Sequence, residues 1–68
     1  MAIVIIKKNG KTLHVESYSH TEDVKFTELS KILSNKDSRT ISVKLDETYH
    51  AEKEITVLCE DIQEIVRR

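Results

Sequence analysis

The pair Asn9-Gly10 constrains this sequence most, because it contains the only glycine of a chain that has no proline. It follows an apolar run from Ile3 to Ile6 and precedes an alternating segment from Thr12 to Tyr18. Two extended runs joined by Asn-Gly are typical of a β-hairpin with a two-residue type I′ turn. The sequence therefore predicts an N-terminal hairpin.

The two-residue turn would also determine which side chains share a face of the hairpin. The predicted opposite pairs are Lys8 with Lys11, Ile6 with Leu13, Ile5 with His14, and Val4 with Val15. Ile3 and Ile5 then lie on the other face, opposite Glu16 and His14. A strand that is apolar on both faces is normally buried on both. We therefore expect Ile3, Ile5, His14 and Glu16 to contact another subunit.

The small size of the chain gives a second reason to expect self-association. Its 68 residues predict one domain over residues 1–68, at a length where folding often needs a disulfide, a metal or oligomerisation. The single cysteine excludes an intramolecular disulfide. The possible metal ligands lack the paired short spacings of zinc sites: His14, His20, His50 and Cys59. We expect no metal and no cofactor, which leaves oligomerisation.

The central segment predicts an amphipathic helix followed by a strand. One apolar stripe at helical spacing is formed by Phe26, Leu29, Ile32 and Leu33. The helix could begin at a capping box of Ser19 and Glu22, or at the weaker signal of Thr27. Its end is indicated by Asn35, Asp37 and Ser38. A strand with one buried face is then predicted by the alternation of Ile41, Val43 and Leu45 with polar residues.

The last third of the chain allows two predictions. In the first, Glu54 to Leu58 is a strand paired with the Ile41 strand, and Glu60 to Val66 forms a short closing helix or a turn and final strand. The alternative is one long helix from Ala51, supported by a continuous apolar stripe and by arginines near its end. The β-branched triplet Ile55-Thr56-Val57 favours the first. Both predictions give an α+β fold.

The segment from Lys25 to Glu47, KFTELSKILSNKDSRTISVKLDE, resembles the helix-then-strand segment of small prophage-encoded proteins of the YonK type. The resemblance covers about a third of the chain. Those proteins have no known function, so the resemblance implies no site residues. It implies a phage or mobile-element origin.

Several functional classes conflict with the residues present. A glycine-rich phosphate loop is impossible with one glycine, and Cys59 beside Glu60 is more typical of a small buried hydrophobe than of a nucleophile. Adjacent carboxylates such as Glu22-Asp23 have no distinct environments that would suit acid–base catalysis. The sequence therefore predicts a protein that is not an enzyme and has no catalytic residue.

The apolar N-terminal run is too short for a signal peptide or a membrane span. With a free thiol in addition, we expect a cytoplasmic protein without a membrane partner.

The leading hypothesis for function is a homo-oligomeric accessory or regulatory protein that binds another macromolecule, such as a host protein. One alternative is a small nucleic-acid-binding module that uses the basic hairpin tip of Lys7, Lys8 and Lys11. Residues 1–45 carry eight basic and five acidic side chains, whereas residues 46–68 carry three basic and seven acidic ones. A second alternative is therefore an acidic DNA mimic, formed by the run from Asp46 to Glu64, that inhibits a host protein.

Overall fold

A computed structural model describes residues 2–68 and arranges them in two antiparallel sheets and one helix. The elements are β1 (Ile3–Lys7), β2 (Thr12–Val15), α1 (Glu22–Ser34), β3 (Thr40–Lys44), β4 (Glu54–Leu58) and β5 (Ile62–Arg67). One sheet has the strand order β2-β1-β5, and the other pairs β3 with β4. The predicted α+β class is confirmed.

The hairpin forms at Asn9-Gly10, but its register is one residue away from the predicted one. Its loop has three residues rather than two, because the Lys7 N–H donates to the Lys11 carbonyl and the Gly10 N–H donates to the Lys7 carbonyl. Gly10 has a φ of +87°, the left-handed conformation that ends such a loop with a bulge. The Asn9 side chain accepts a hydrogen bond from the Lys11 N–H. The observed pairs are Ile3 with Val15, Val4 with His14, Ile5 with Leu13, and Ile6 with Thr12.

This change of register exchanges the two faces of β1. The side chains of a strand alternate between faces, so a shift of one residue moves every inward residue outward. Ile3 and Ile5 are fully buried in the core. The prediction that they lie on an uncovered face is therefore wrong, and Val4 and Ile6 are the residues on the outward face.

The core fills the space between the two sheets and the helix. A bridge between Val15 and Leu45 joins the sheets, through hydrogen bonds from the Glu16 N–H to the Lys44 carbonyl and from the Asp46 N–H to the His14 carbonyl. The buried core residues are Ile3, Ile5, Val15, Leu29, Ile41, Val43, Leu45, Val57 and Ile62. The predicted alternation of the third strand is confirmed, since Ile41 and Val43 face inward.

Helix α1 lies with its predicted stripe on the core. Leu29 is buried, and Phe26, Ile32 and Leu33 pack against the same cluster. The helix begins at Glu22, between the two predicted starts, and the N-cap residue Thr21 makes no side-chain cap hydrogen bond. Its predicted end is confirmed: Asn35 is the C-cap, and its side-chain oxygen accepts from the Asp37 N–H at 2.9 Å.

The C-terminal third is a strand, a turn and a final strand. The predicted pairing of Glu54 to Leu58 with the Ile41 strand is confirmed, with Ile41 opposite Val57. The short closing helix is replaced by a single 3-10 turn, Cys59–Asp61, and by β5, which pairs with β1. The alternative of one long helix is wrong. β5 contains three β-branched residues and forms backbone hydrogen bonds with β1 along most of its length. These interactions outweigh the helical spacing of its apolar residues.

An ion pair links β5 to the start of the helix. The Arg67 guanidinium lies 3.0 Å from the buried carboxylate of Glu22 and 2.6 Å from that of Asp23. The hydrogen bond to Glu22 raises the pKa of Arg67, and the Phe26 ring lies 5.7 Å from the guanidinium carbon.

The helical segments of residues 2–68 lack the length and apolar character that spanning a lipid bilayer requires.

Candidate interaction surface

The outward face of the three-stranded sheet is apolar along its centre. Residues paired across antiparallel strands share a face, so Val4 stands between His14 and Val66, and Ile6 stands between Thr12 and Glu64. Val4 retains 1% exposure, whereas Ile6, His14 and Val66 are partly exposed. Val4 is therefore covered, and we name the partly exposed residues Ile6, His14 and Val66 the outward apolar face.

An exposed tyrosine extends this face beyond the edge of β2. The Tyr49 ring stacks on the His14 ring, with centroids 3.9 Å apart and planes 15° from parallel. Tyr49 is 60% exposed. A large exposed aromatic side chain that is already held in place is typical of an interface anchor, because little conformational entropy is lost on binding.

The loop that carries Tyr49 is fixed by Asp46. The Asp46 carboxylate accepts from the Thr48 N–H at 2.9 Å, and the Asp46 carbonyl accepts from the N–H groups of Tyr49 and His50. The hydrogen bond from Thr48 is the main cause that lowers the pKa of Asp46, with smaller contributions from His14 and His50. The loop is therefore held by its own backbone and by an ionised carboxylate.

His50 attaches this loop to the free side of β2. The His14 N–H points away from β1 and donates to His50 Nε2 at 2.9 Å. The side chain of His50 thus replaces a neighbouring strand at this position and leaves no unpaired donor.

The outer edge of β5 carries unpaired backbone groups. Ala2 and Arg68 form a hydrogen-bonded pair, in which each N–H donates to the carbonyl of the other residue. In an antiparallel pair of strands, every second residue points its backbone groups at the neighbouring strand. The N–H groups of Glu64 and Val66 therefore also point towards β1. The N–H and C=O groups of Ile65 and Arg67 point the other way. Among residues 2–68, none of these outward backbone groups has a hydrogen-bond partner.

The predicted interface residues separate into two groups. Ile3 and Ile5 lie in the core and present no surface. His14 lies on the outward apolar face. Glu16 follows β2, where its carboxylate accepts from the Tyr18 hydroxyl at 2.9 Å, an interaction that raises the pKa of Tyr18.

The basic residues of the hairpin tip lie beside an acidic turn. Lys8 and Lys11 are exposed and Lys7 is partly exposed at the end of β1. The Lys8 N–H donates to the Asp61 carbonyl at 2.8 Å, which places the acidic turn residues Glu60 and Asp61 next to the tip. Their carboxylates reduce the positive potential that a phosphate backbone would encounter.

The other chemistry-bearing residues have structural surroundings. Cys59 is partly buried and packs against the core. The His20 ring stacks on Tyr18, with centroids 6.1 Å apart. In the part of the chain that the structure describes, no three His, Cys, Asp or Glu residues are grouped so that they could hold a metal ion.

Two features of this surface could not be read from the sequence. Tyr49 and His50 occur in a polar connection, and only the fold brings them onto β2. The free edge belongs to β5, a segment whose apolar spacing also fits a helix. The nearest sequence signal is the prediction that Ile3 and Ile5 lie on an uncovered face of β1, whereas both residues are buried in the core.

Comparisons with known proteins provide no family assignment. Searches of protein-family models, curated proteins and solved structures found no match to this chain.

Proposed function

We propose that this chain is a non-enzymatic, homo-oligomeric accessory or regulatory protein that binds another protein. The observation that carries the proposal is the outward apolar face together with the exposed Tyr49 ring that stacks on His14. Partly exposed apolar side chains on a sheet and an anchored aromatic at its margin are a common composition of a protein-binding surface.

The charge beside the face indicates the chemistry of the partner. The loop that holds Tyr49 also carries the acidic residues Asp46 and Glu47. A partner surface with an apolar centre and basic side chains towards this loop would complement it. The proposed partner is therefore a protein rather than a nucleic acid.

A non-catalytic role fits the positions of the reactive side chains. Cys59 packs beside the last turn, whereas His14 and His50 contact each other on β2. Catalysis would require a nucleophile within hydrogen-bond reach of a base. The proposed role in the cytoplasm and the proposed phage or mobile-element origin depend on the sequence alone.

Neither nucleic-acid hypothesis gains support from the fold. The lysines of the hairpin tip adjoin Glu60 and Asp61. The acidic run is also divided, because Glu54 stands opposite Lys44 across the β3–β4 pair. A DNA mimic would need an uninterrupted array of carboxylates on one surface.

The proposal is tested by comparing two tyrosines that have the same exposure. Tyr49 is 60% exposed and belongs to the proposed surface, whereas Tyr18 is 59% exposed and stacks on His20 instead. Immobilised wild type, Tyr49→Ala and Tyr18→Ala would be incubated with lysate of the host, and bound proteins quantified by mass spectrometry. We expect a specific protein that is retained by wild type and Tyr18→Ala and lost with Tyr49→Ala. Equal capture by all three would contradict the proposed surface.

Sedimentation velocity on the wild type tests the homo-oligomeric part. We expect an oligomer at micromolar concentration, and a monomer there would contradict it. Repeating the capture at high salt separates the classes of partner, since contacts with phosphates weaken steeply with salt. A steep loss of the captured partner would favour the nucleic-acid hypothesis.

A further inference from the structure

We propose that two copies of this chain pair through the outer edges of their β5 strands, so that their three-stranded sheets form one continuous antiparallel sheet. This inference specifies the contact of the proposed homo-oligomer and rests on that proposal. Its occupant is a second copy of the same chain, related to the first by a two-fold axis at the edge of β5.

The backbone of β5 provides the first argument. The C=O and N–H groups of Ile65 and Arg67 point away from β1 and have no partner within residues 2–68. An unpaired strand edge is a template for pairing with another chain. In an antiparallel pair of β5 strands, hydrogen bonds form only where both residues point outward, so Ile65 can pair with Arg67, with itself or with Gln63. The last of these registers places Glu64 opposite Glu64 of the second copy, which is repulsive.

The charges of β5 select one of these registers. When Ile65 pairs with Arg67 of the second copy, Val66 stands opposite Val66 of that copy on the two-fold axis. Glu64 then stands opposite Arg68 of the second copy, and the two-fold axis produces this opposite-charge pair twice. In the register centred on Ile65, Glu64 would instead face an apolar valine. Charges on an edge strand usually prevent pairing, but in the first register they attract.

The outer edge of β4 does not match itself in the same way. The outward backbone groups of β4 belong to Glu54, Thr56 and Leu58, as the hydrogen bond from the Cys59 N–H to the Arg39 carbonyl indicates. A two-fold axis at Thr56 would place Glu54 opposite Leu58 of the second copy, without charge complementarity. The complementary sequence is a property of β5.

Pairing through the edge also leaves the proposed partner surface free. Packing two sheets face to face would cover Ile6, His14 and Val66. Edge pairing instead brings Val66 of both copies together at the centre, so the two outward apolar faces become one surface of twice the width. Self-association through β5 is therefore compatible with binding a further protein.

The test replaces the residue on the two-fold axis. Val66→Lys places two lysines opposite each other and Val66→Glu two glutamates, so each variant alone should dissociate. We expect the dissociation constant to rise by roughly tenfold or more, because a favourable cross-strand pair becomes a repulsive one. An equimolar mixture should dimerise again, since a lysine then faces a glutamate. Val66→Thr is the control, since it keeps a β-branched neutral side chain.

Sedimentation equilibrium of the wild type, the three single variants and the equimolar mixture distinguishes the outcomes. If wild type and Val66→Thr are dimers, the single charged variants are monomers and their mixture is a dimer, the pairing is supported. If wild type is an oligomer and both charged variants remain oligomers, the β5 pairing is wrong while the proposed homo-oligomer stands. A monomeric wild type overturns both proposals.

A second pair of variants keeps the test valid if a charged residue at position 66 unfolds the chain. Glu64→Arg and Arg68→Glu should each dissociate the dimer, because like charges then face each other. The double variant restores both opposite-charge pairs and should restore the dimer. Failure of the double variant to associate, when the wild type does associate, would overturn the proposed register.

Discussion

The register of the N-terminal hairpin can be tested with two adjacent isoleucines on β1. Ile5 is fully buried and Ile6 is partly exposed on the outward face. Ile5→Val and Ile6→Val remove the same methyl group and keep a β-branched side chain, so the two variants differ only in where the group is lost. In the predicted two-residue register the surroundings of the two residues would be exchanged.

The expected magnitudes follow from burial. Removing one buried methyl group lowers the free energy of unfolding by about 0.8 kcal/mol for transfer alone, and Ile→Val at buried sites costs roughly 0.5 to 1.5 kcal/mol. We expect about 1 kcal/mol for Ile5→Val and less than about 0.5 kcal/mol for Ile6→Val. With a chain of 68 residues, average stabilities imply roughly 3 to 10 kcal/mol in total, so both variants should fold.

Urea unfolding followed by circular dichroism measures the difference. A small domain has a slope of about 1 kcal/mol per molar urea, so Ile5→Val should lower the midpoint by about 1 M. Ile6→Val should lower it by less than about half of that. Protein concentration must be the same in all samples, because association stabilises the folded state. Equal shifts, or a larger shift for Ile6→Val, would refute the three-residue loop and the exchange of faces.

Three other predictions concern the loops. His50→Ala removes the acceptor of the His14 N–H and should lower the free energy of unfolding by about 1 kcal/mol or more. The His14 amide should also exchange faster with solvent, as measured by NMR. An unchanged exchange rate would contradict the hydrogen bond to His50. The pKa of Asp46 is lowered on folding, so the ionised carboxylate stabilises the folded protein at pH values above its ordinary pKa of 3.8. This stabilisation is lost as the pH falls through the pKa of the folded state. Urea unfolding should therefore find the wild type more stable than Asp46→Asn at neutral pH, with the difference vanishing towards pH 2; a difference independent of pH would contradict this. Gly10→Ala should lower the free energy of unfolding in urea by about 1 kcal/mol, because alanine is strained at the positive φ of this position. A Cβ there meets no other atom within 4 Å, so the loss would come from the backbone alone. An unchanged free energy of unfolding would contradict the left-handed conformation.

The local elements could be predicted from the sequence because their signals are local. The helix stripe of Phe26, Leu29, Ile32 and Leu33 and the alternation of β3 depend only on spacing within one segment. Asn9-Gly10 predicts a hairpin for the same reason. However, a glycine in the left-handed conformation suits both a two-residue and a three-residue loop, so these residues alone do not determine the register.

The remaining features depend on contacts between distant segments. Ile62, Ile65 and Val66 fit a helical stripe, and pairing with β1 makes them a strand. The ion pair of Arg67 with Glu22 joins residues 45 positions apart. In the candidate site, spacing alone places His14 on the face of Ile3 and Ile5, whereas the structure pairs it with Val4 on the opposite face. Spacing could not place Tyr49 at all, because a polar loop has no periodicity that indicates where its side chains lie.

Amide hydrogen exchange on β5, measured at several protein concentrations, shows whether two copies pair through the outer edges of their β5 strands. The N–H groups of Glu64 and Val66 point towards β1 and should be protected at every concentration. The N–H groups of Ile65 and Arg67 point outward, so their protection should rise with concentration as copies pair. Added protection of Gln63 would indicate a register centred on Ile65 or on Glu64. Fast exchange of Ile65 and Arg67 at concentrations where the protein is an oligomer would contradict pairing through β5.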